Sequence, residues 1–377
     1  MCGICGYISQ KSLDSSIISN MVGTLRHRGP DDLGFEIKET ATGQQLAISQ
    51  ARLSIIDLTA SGHQPMSYRH LTTVFNGEIY NYNEIKAELR TLGHKFTSDS
   101  DTEVLLQAFD EWGMDCVHRF IGMFAFVIYH AKQNKLYCCR DRAGVKPFYY
   151  SIQDGNFIFG SELKAFHSHP GFEKEIDHHA VSLFFKYRYI PAPYSIFRHT
   201  FKLMPGTWLV YDITSQHHES TTYWDIVSTY SQPLLNISYK DAKSELKKIL
   251  TSACNYRMVA DVPVGIFLSG GYDSTLITAL IQEGSPSRLK TFTIGFTEGN
   301  NEAPFAKETA SILGTDHTEY YCTEKEALEI IPELPYYYDE PFADSSAIPT
   351  ILVSQLARKQ VTVALSADAG DEIFIGY

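Results

Sequence analysis

The sequence predicts two domains of different class: an α+β layered domain over residues 2–224 and an α/β domain with a parallel sheet over 239–377, joined by a linker over 225–238. Three observations carry this. Residues up to about 224 read as short β-branched or aromatic runs bounded by Gly, Asn and Asp, with few helices between them. Beyond 238, strand and helix patterns alternate at the spacing of a doubly wound sheet. Between the two, 228–238 is polar and carries Pro233.

In the first domain, strands are expected over 46–49, 72–75, 124–129, 135–139 and 148–151, with hairpin tips at Lys132-Gln133-Asn134 and Gln153-Asp154-Gly155-Asn156. Two helices interrupt them. Ile85 and Leu89 stand four apart in 83–92, and Val104, Leu105, Ala108 and Phe109 form one stripe in 102–112. In the second domain the expected order is a helix through Leu246 and Ile249, strand 262–268, helix 275–282, strand 291–296, helix 304–313, strand 318–322, helix 346–358 and strand 361–365. Ligands of such sheets bind at the carboxyl ends of strands.

Composition narrows the function. Thirty-two Lys and Arg against 44 Asp and Glu give a net charge of −12, which disfavours nucleic acid or an anionic membrane as partner. No apolar run approaches the roughly 20 residues of a membrane helix, and Met1-Cys2-Gly3-Ile4-Cys5-Gly6 lacks the pattern of a signal peptide. Seven scattered cysteines point to reduced thiols rather than a disulfide framework, so the expected location is cytoplasmic.

One cysteine stands apart. Once Met1 is trimmed, Cys2 offers a thiol and a free α-amino group on one residue. An amine titrating near about 8 can take the proton of a thiol titrating near about 8.5, so nucleophile and base come together. Alone, Cys2 reads better as a small apolar residue at the start of a strand, and Cys2-x-x-Cys5 as half a zinc site lacks a second ligand pair of matching spacing. Its company decides: Arg26-His27-Arg28-Gly29-Pro30-Asp31-Asp32, Ala51-Arg52-Leu53-Ser54-Ile55-Ile56-Asp57, Phe75-Asn76-Gly77-Glu78-Ile79-Tyr80-Asn81, Ser100-Asp101-Thr102-Glu103 and Arg140-Asp141-Arg142-Ala143-Gly144-Val145-Lys146-Pro147 follow in order. This pattern resembles the class II glutamine amidotransferase domain of glutamine-hydrolysing asparagine synthetases.

The resemblance implies an N-terminal-nucleophile hydrolase sandwich (αββα) with Cys2 as nucleophile. The chemistry of the matching residues suits glutamine. Arg52 can fork onto its α-carboxylate. Glu78 and Asp101 can accept from its α-ammonium. Asn76 and Gly77 can supply a side-chain amide and a backbone N–H to a tetrahedral oxyanion, a contact of roughly 3 kcal/mol in the barrier. In isolation, Asn76-Gly77 reads as a hairpin turn and Arg52 as a surface ion-pair partner.

In the second domain, Val264-Gly265-Ile266-Phe267-Leu268 runs into Ser269-Gly270-Gly271-Tyr272-Asp273-Ser274 ahead of a helix, so backbone N–H groups and the helix dipole face an anion. Ser269 and Ser274 add hydroxyls, and Asp273 can hold Mg²⁺ against phosphates. The loop lacks Walker A spacing and resembles the PP-loop of ATP pyrophosphatases, which implies ATP and Mg²⁺. By the same resemblance Leu268 and Ile294 would contact the nucleoside, as would Ser366 and Ala367. Asp371 would join Asp273 at the metal. Asp368 would orient Mg²⁺ or take a proton from attacking ammonia.

Asp339-Glu340-Pro341-Phe342-Ala343-Asp344-Ser345-Ser346 matches another segment of the family, and reads otherwise as a helix N-cap. The loop Ser366-Ala367-Asp368-Ala369-Gly370-Asp371-Glu372 departs from the family pattern by alanine at 367 and 369, and Ile375 also stands where glycine is usual. Alanine in a left-handed conformation costs on the order of 1 kcal/mol.

The expected enzyme is a glutamine-dependent amidotransferase-ligase. Cys2 releases ammonia from glutamine, the ammonia passes internally, and an ATP-activated carboxylate receives it. Aspartate is the implied acceptor, giving asparagine, AMP and pyrophosphate. Amidation of another carboxylate such as a sugar acid, or a glutaminase with an incomplete synthetase domain, stands as the alternative. The family resemblance implies chain beyond Tyr377, and the sequence leaves a homodimer open.

Overall fold

The computed structural model describes residues 1–297, 301–374 and 376, so Ile375 lies outside the described residues. The chain divides into two compact units: Met1–Gln232 with Tyr338–Phe342, and Pro233–Tyr337 with Ala343–Tyr377.

Twelve strands build the first unit: β1 (Gly3–Ser9), β2 (Asp32–Glu39), β3 (Gln45–Arg52), β4 (Met66–Tyr68), β5 (Leu71–Ile79), β6 (Gly122–His130), β7 (Lys135–Arg140), β8 (Tyr149–Gln153), β9 (Asn156–Gly160), β10 (Thr200–Lys202), β11 (Thr207–Asp212) and β12 (His217–Thr222). They form two six-stranded antiparallel sheets, ordered β10-β8-β9-β1-β3-β2 and β12-β11-β7-β6-β5-β4. Its helices are α1 (Ser15–Gly23), α2 (Tyr82–Thr91), α3 (Asp101–Trp112), α4 (His178–Tyr187) and α5 (Ile226–Tyr230).

The period of two along each strand stacks these elements in layers. Ile4 and Ile8 of β1 meet Val74 of β5 and Ala125 and Val127 of β6 between the sheets. The alternate residues Cys5 and Tyr7 turn outward onto Ile18, Met21 and Val22 of α1. On the second sheet Phe75, Phe124 and Phe126 turn outward onto Ile85 and Leu89 of α2 and Val104 and Leu105 of α3. This is the expected αββα sandwich.

Both hairpin tips lie where the sequence puts them. Asp154 and Gly155 both have positive φ, the geometry a two-residue turn requires. The first unit holds more helix than the two segments expected. In α1 the burying residues are crowded at 17–18 and 21–22, a helical spacing, with the Asp14 carboxylate capping Ser16 N–H at 2.8 Å. Part of the expected linker is also ordered, as α5.

The second unit carries β13 (Val264–Phe267), β14 (Lys290–Phe296), β15 (Asp316–Cys322) and β16 (Val363–Leu365) in one parallel sheet of order β15-β14-β13-β16. Its helices are α6 (Tyr239–Arg257), α7 (Tyr272–Gly284), α8 (Ala303–Leu313), α9 (Glu324–Ile330), α10 (Leu334–Tyr337), α11 (Ala347–Arg358) and α12 (Gly370–Phe374). Ile266 packs with Ile281 of α7 and Cys254 of α6, whereas Phe292 packs with Ala357 of α11 and Val361. Helices α9 and α10 were not expected; a Thr323–Glu326 capping box starts α9.

Of the two alanines in the last loop, Ala369 has φ +74°, whereas Ala367 stays in the ordinary negative range. Ala369→Gly is therefore expected to stabilise the second unit by roughly 0.5–1 kcal/mol, seen as a higher thermal midpoint. A lowered midpoint would show that the methyl carries no strain.

Candidate active site

Cys2 stands immediately before β1, and β3 runs antiparallel beside it with Gly3 opposite Ala51. That register brings the end of β3 to the thiol: Leu53 N–H donates to Cys2 Sγ at 3.4 Å, and Sγ lies 3.6 Å from Leu53 O. The second sheet supplies Asn76, Gly77 and Glu78 from within β5, where Asn76 faces Ala125 and Gly77 faces Phe124 of β6. The hairpin-turn reading of Asn76-Gly77 is thus excluded. Glycine is required at 77 because a Cβ there would stand 2.3 Å from Met123 O.

Asn76 is fully buried. Its Nδ2 is 3.4 Å from Ser161 Oγ, which also accepts Ile4 N–H at 3.0 Å. Asn76 Oδ1 is buried without a partner among the described residues, as is Glu78 Oε2. Asp101 opens α3 after the N-cap Ser100, and its Oδ2 accepts Ile79 N–H at 2.9 Å. Cys2, Arg52, Gly77, Glu78 and Asp101 line one pocket, closed by Leu53, Ile55 and Ile56. Asn76 is absent from that lining and flanks it through its strand neighbours Phe75 and Gly77.

Arg52 is buried, contrary to a surface ion-pair role. Its guanidinium donates to the carbonyls of Asp57 (2.5 Å), Ile56 (3.3 Å) and Thr59 (3.1 Å), so the loop after β3 wraps around it. Gly62 completes the wrap, since a Cβ there would fall 1.9 Å from Arg52 Nη2. Guanidinium has five N–H donors, and these contacts use three.

Burial governs the protonation states. It raises the Cys2 thiol, opposed by the neighbouring amine and the Leu53 N–H. It pulls the terminal amine of Met1 down to about 5, against the pull of the Cys2 sulfur. Burial, and then the charge of Asp101, raise Glu78. Burial pushes Asp101 up to about 7, against the hydrogen bond from Ile79. Two carboxyls facing one pocket cannot both shed their protons cheaply.

Sequence reasoning left three neighbours without a role. Lys146 is buried, and desolvation lowers it while the Glu78 carboxylate holds it up. Arg28 Nε donates to Cys2 O at 2.9 Å, and Ser161 ties Asn76 to β1. Arg28 and Lys146 sit in quoted motifs; for Ser161 no local signal exists, because its role arises only when β9 pairs with β1.

In the second unit the order β14-β13-β16 sets Leu268 and Ser366 directly after the carboxyl ends of β13 and β16, with Ile294 in the last half of the adjacent β14. Leu268 N–H donates to Phe292 O at 3.0 Å. The Ser269 and Ser274 hydroxyls are 3.0 Å apart, and Ser269 Oγ accepts Gly271 N–H at 3.2 Å. Gly270 has φ +84° and lies so close to α8 that a Cβ would be 2.7 Å from Ala306 N. Gly271 is the N-cap of α7, so the turn and the first N–H groups of the helix are directed to one side. That donor set fits a polyphosphate. The Asp273 carboxylate lies against Gly370, where a Cβ would be 2.3 Å from Oδ2, and Asp371 follows Gly370. The Asp371 carboxylate lies against Gly376, where a Cβ would be 1.8 Å from its Oδ1. A carboxylate suits Mg²⁺, although no group of three ligating side chains occurs among the described residues. Asp368 is exposed in the same loop. Asp344 rather than Ser345 takes up the backbone ahead of α11, accepting Ser346 N–H at 2.7 Å.

Among the described residues no helix is long and apolar enough to cross a membrane. Residues 1–224 match the family described as glutamine amidotransferase domain, and 245–377 the family described as asparagine synthase. A protein of Methanocaldococcus jannaschii provisionally named glutamine-hydrolysing asparagine synthetase 2 is 40% identical over 397 residues, covering 100% of this chain and 76% of its own length. Asparagine synthetase (glutamine-hydrolysing) 1 of Bacillus subtilis is 36% identical over 385 residues, covering 100% of this chain and 59% of its own. Bacillus subtilis synthetase 3 is 31% identical, covering 100% and 63%. With both halves matched in order, the chain belongs to the glutamine-hydrolysing asparagine synthetase family.

Proposed function

We propose that the protein transfers the amide nitrogen of glutamine to aspartate at the expense of ATP, forming asparagine. The observation that carries the glutamine half is the meeting of Cys2, Arg52, Gly77, Glu78 and Asp101 in one pocket. After removal of Met1, the Cys2 amine takes the thiol proton, since a terminal amine titrating near about 8 is partly neutral at pH 7. The sulfur then attacks the carboxamide. Asn76 turns its amide so that the Ser161 hydroxyl donates to Oδ1, and Nδ2 joins Gly77 N–H at the oxyanion. Arg52 uses its two remaining donors on the α-carboxylate, and Glu78 with Asp101 receives the α-ammonium.

In the second unit the turn Ser269–Ser274 and the start of α7 hold the phosphates, with Leu268, Ile294, Ser366 and Ala367 at the nucleoside. Asp273 and Asp371 would hold Mg²⁺, which would offset the charge of the phosphates. ATP supplies the adenylyl group that activates the acceptor carboxylate, and Asp368 takes the proton as ammonia attacks. Glutamate release and pyrophosphate release, measured separately with aspartate present, test the reading: both are expected, and the absence of either removes that half.

A pH dependence follows from the acid pair. Asp101 must be ionised to receive an ammonium, and its carboxyl is raised to about 7. Below that value binding must expel a proton, so kcat/KM for glutamine is expected to fall about tenfold per pH unit. Asp101→Asn is expected to lower kcat/KM and flatten this limb between pH 5.5 and 7. A limb that persists in the variant would assign it to another group.

A further inference from the structure

A line of alternating charges starts at the nucleophile and ends on a remote stretch of chain. Arg28 Nε holds Cys2 O at 2.9 Å, and its Nη1 meets Glu162 Oε1 at 2.7 Å. His27 Nε2 sits 3.1 Å from the other oxygen of Glu162, where Lys164 Nζ also lands at 2.7 Å. Lys164 continues to Asp339 Oδ1 at 3.2 Å, while Asp339 Oδ2 accepts the backbone N–H of Lys164, also at 3.2 Å. Glu162 and Arg28 side chains are each 10% exposed and that of Asp339 8%, so water does little to screen the series.

Asp339 lies in Tyr338–Phe342, which belongs to the first compact unit although the residues on either side of it in sequence belong to the second. The next residue anchors the same stretch independently. Glu340 receives Lys202 Nζ at 2.6 Å, Tyr149 OH at 3.1 Å and Ile196 N–H at 2.8 Å. Glu340 thus seats the stretch, and Asp339 alone is in line with Cys2.

We propose that Asp339 is a positioning residue for glutamine cleavage, acting through Lys164, Glu162 and Arg28 on the carbonyl of Cys2. This rests on the glutamine-hydrolysing role of Cys2 proposed above. The physical reason is a relay of fixed partners. Asp339 holds both the backbone N–H and the ammonium of Lys164, and Lys164 in turn fixes Oε2 of Glu162 so that Oε1 faces Arg28. Without that anchor Lys164 no longer fixes the Glu162 carboxylate, Arg28 loses its set partner, and the backbone of the nucleophile is no longer held. Displacement of a reacting group by about 1 Å costs up to about 100-fold in rate.

The test uses the 377-residue chain with Asp339→Asn, Asp339→Glu and Lys164→Gln. Steady-state glutamate release gives kcat and KM, and the rate of Cys2 alkylation by iodoacetamide reports on the sulfur without substrate. Asp339→Asn is expected to lower kcat about tenfold with KM within twofold and to change the alkylation rate, Lys164→Gln to do the same, and Asp339→Glu to recover most of the loss. Wild-type kcat and alkylation rate in a folded Asp339→Asn or Lys164→Gln protein would overturn the proposal. If the unsubstituted chain releases no glutamate, the role of Cys2 in hydrolysis fails instead. Equal alkylation rates in that case also dispose of the positioning role.

Discussion

Cys2→Ala is expected to abolish glutamate release, by at least about 10³-fold, while pyrophosphate release with ammonium salts in place of glutamine continues. The split follows from where the residue stands. Among the described residues its sulfur hydrogen-bonds with the Leu53 peptide after β3, and its pocket is lined by residues of the first unit. The methyl of alanine fits where the sulfur was, so β1 and its pairing with β3 and β9 should survive. Cys2→Ser is the sharper control. It keeps the shape and offers an oxygen whose proton is harder to remove, and it is expected to be nearly as inactive. Residual glutamate release from Cys2→Ala within tenfold of the parent would remove the nucleophile assignment. Loss of pyrophosphate release along with glutamate would show that the substitution disturbs more than the thiol.

Asn76→Ala is expected to lower kcat for glutamine by about 10²–10³, or roughly 3–4 kcal/mol in the barrier, with little change in KM. The asymmetry arises because the oxyanion exists only after the sulfur attacks. A donor aimed at it adds nothing to ground-state binding. Alanine also removes Oδ1, a buried oxygen without a partner among the described residues, while Ser161 Oγ keeps the Ile4 N–H. Melting of the variant is the necessary companion measurement, since Asn76 is fully buried. A variant with raised KM and unchanged kcat would make Asn76 a binding group. Gly77→Ala should behave differently, because its Cβ would collide with Met123 O and Phe124 Cα and push β5 off β6. There loss of activity and loss of stability should come together.

Much of this site was legible in the residues themselves. Chemistry at an amide needs a nucleophile, an oxyanion donor pair and groups for both ends of an amino acid. Cys2, Asn76-Gly77, Arg52, Glu78 and Asp101 are groups able to supply each, in short runs. The alternating strands of the second unit were legible for the same local reason, since β13 is a short apolar run and β14 alternates Phe292, Ile294 and Phe296 with small or polar residues, each ahead of a helix of period 3.6. Even the strained alanine at 369 could be anticipated, because glycine is what a left-handed turn calls for.

What the sequence determined by itself, then, was the inventory: two kinds of domain, the order of strands in the second and the residues able to do the chemistry. Local periodicity and functional-group chemistry are short-range properties, written within a few residues of one another. Only the tertiary structure decided which groups meet. It turned Asn76-Gly77 from a turn into the middle of a strand, because β6 offers β5 a partner along its whole length. It buried Arg52 among the carbonyls of its own loop, and it joined Cys2 to Asp339 through Arg28, Glu162 and Lys164. Those contacts span from 5 to 175 positions of sequence, and no local pattern encodes them. They exist because burial leaves a charged group no solvent to face, so it takes whichever partner the packing brings within reach.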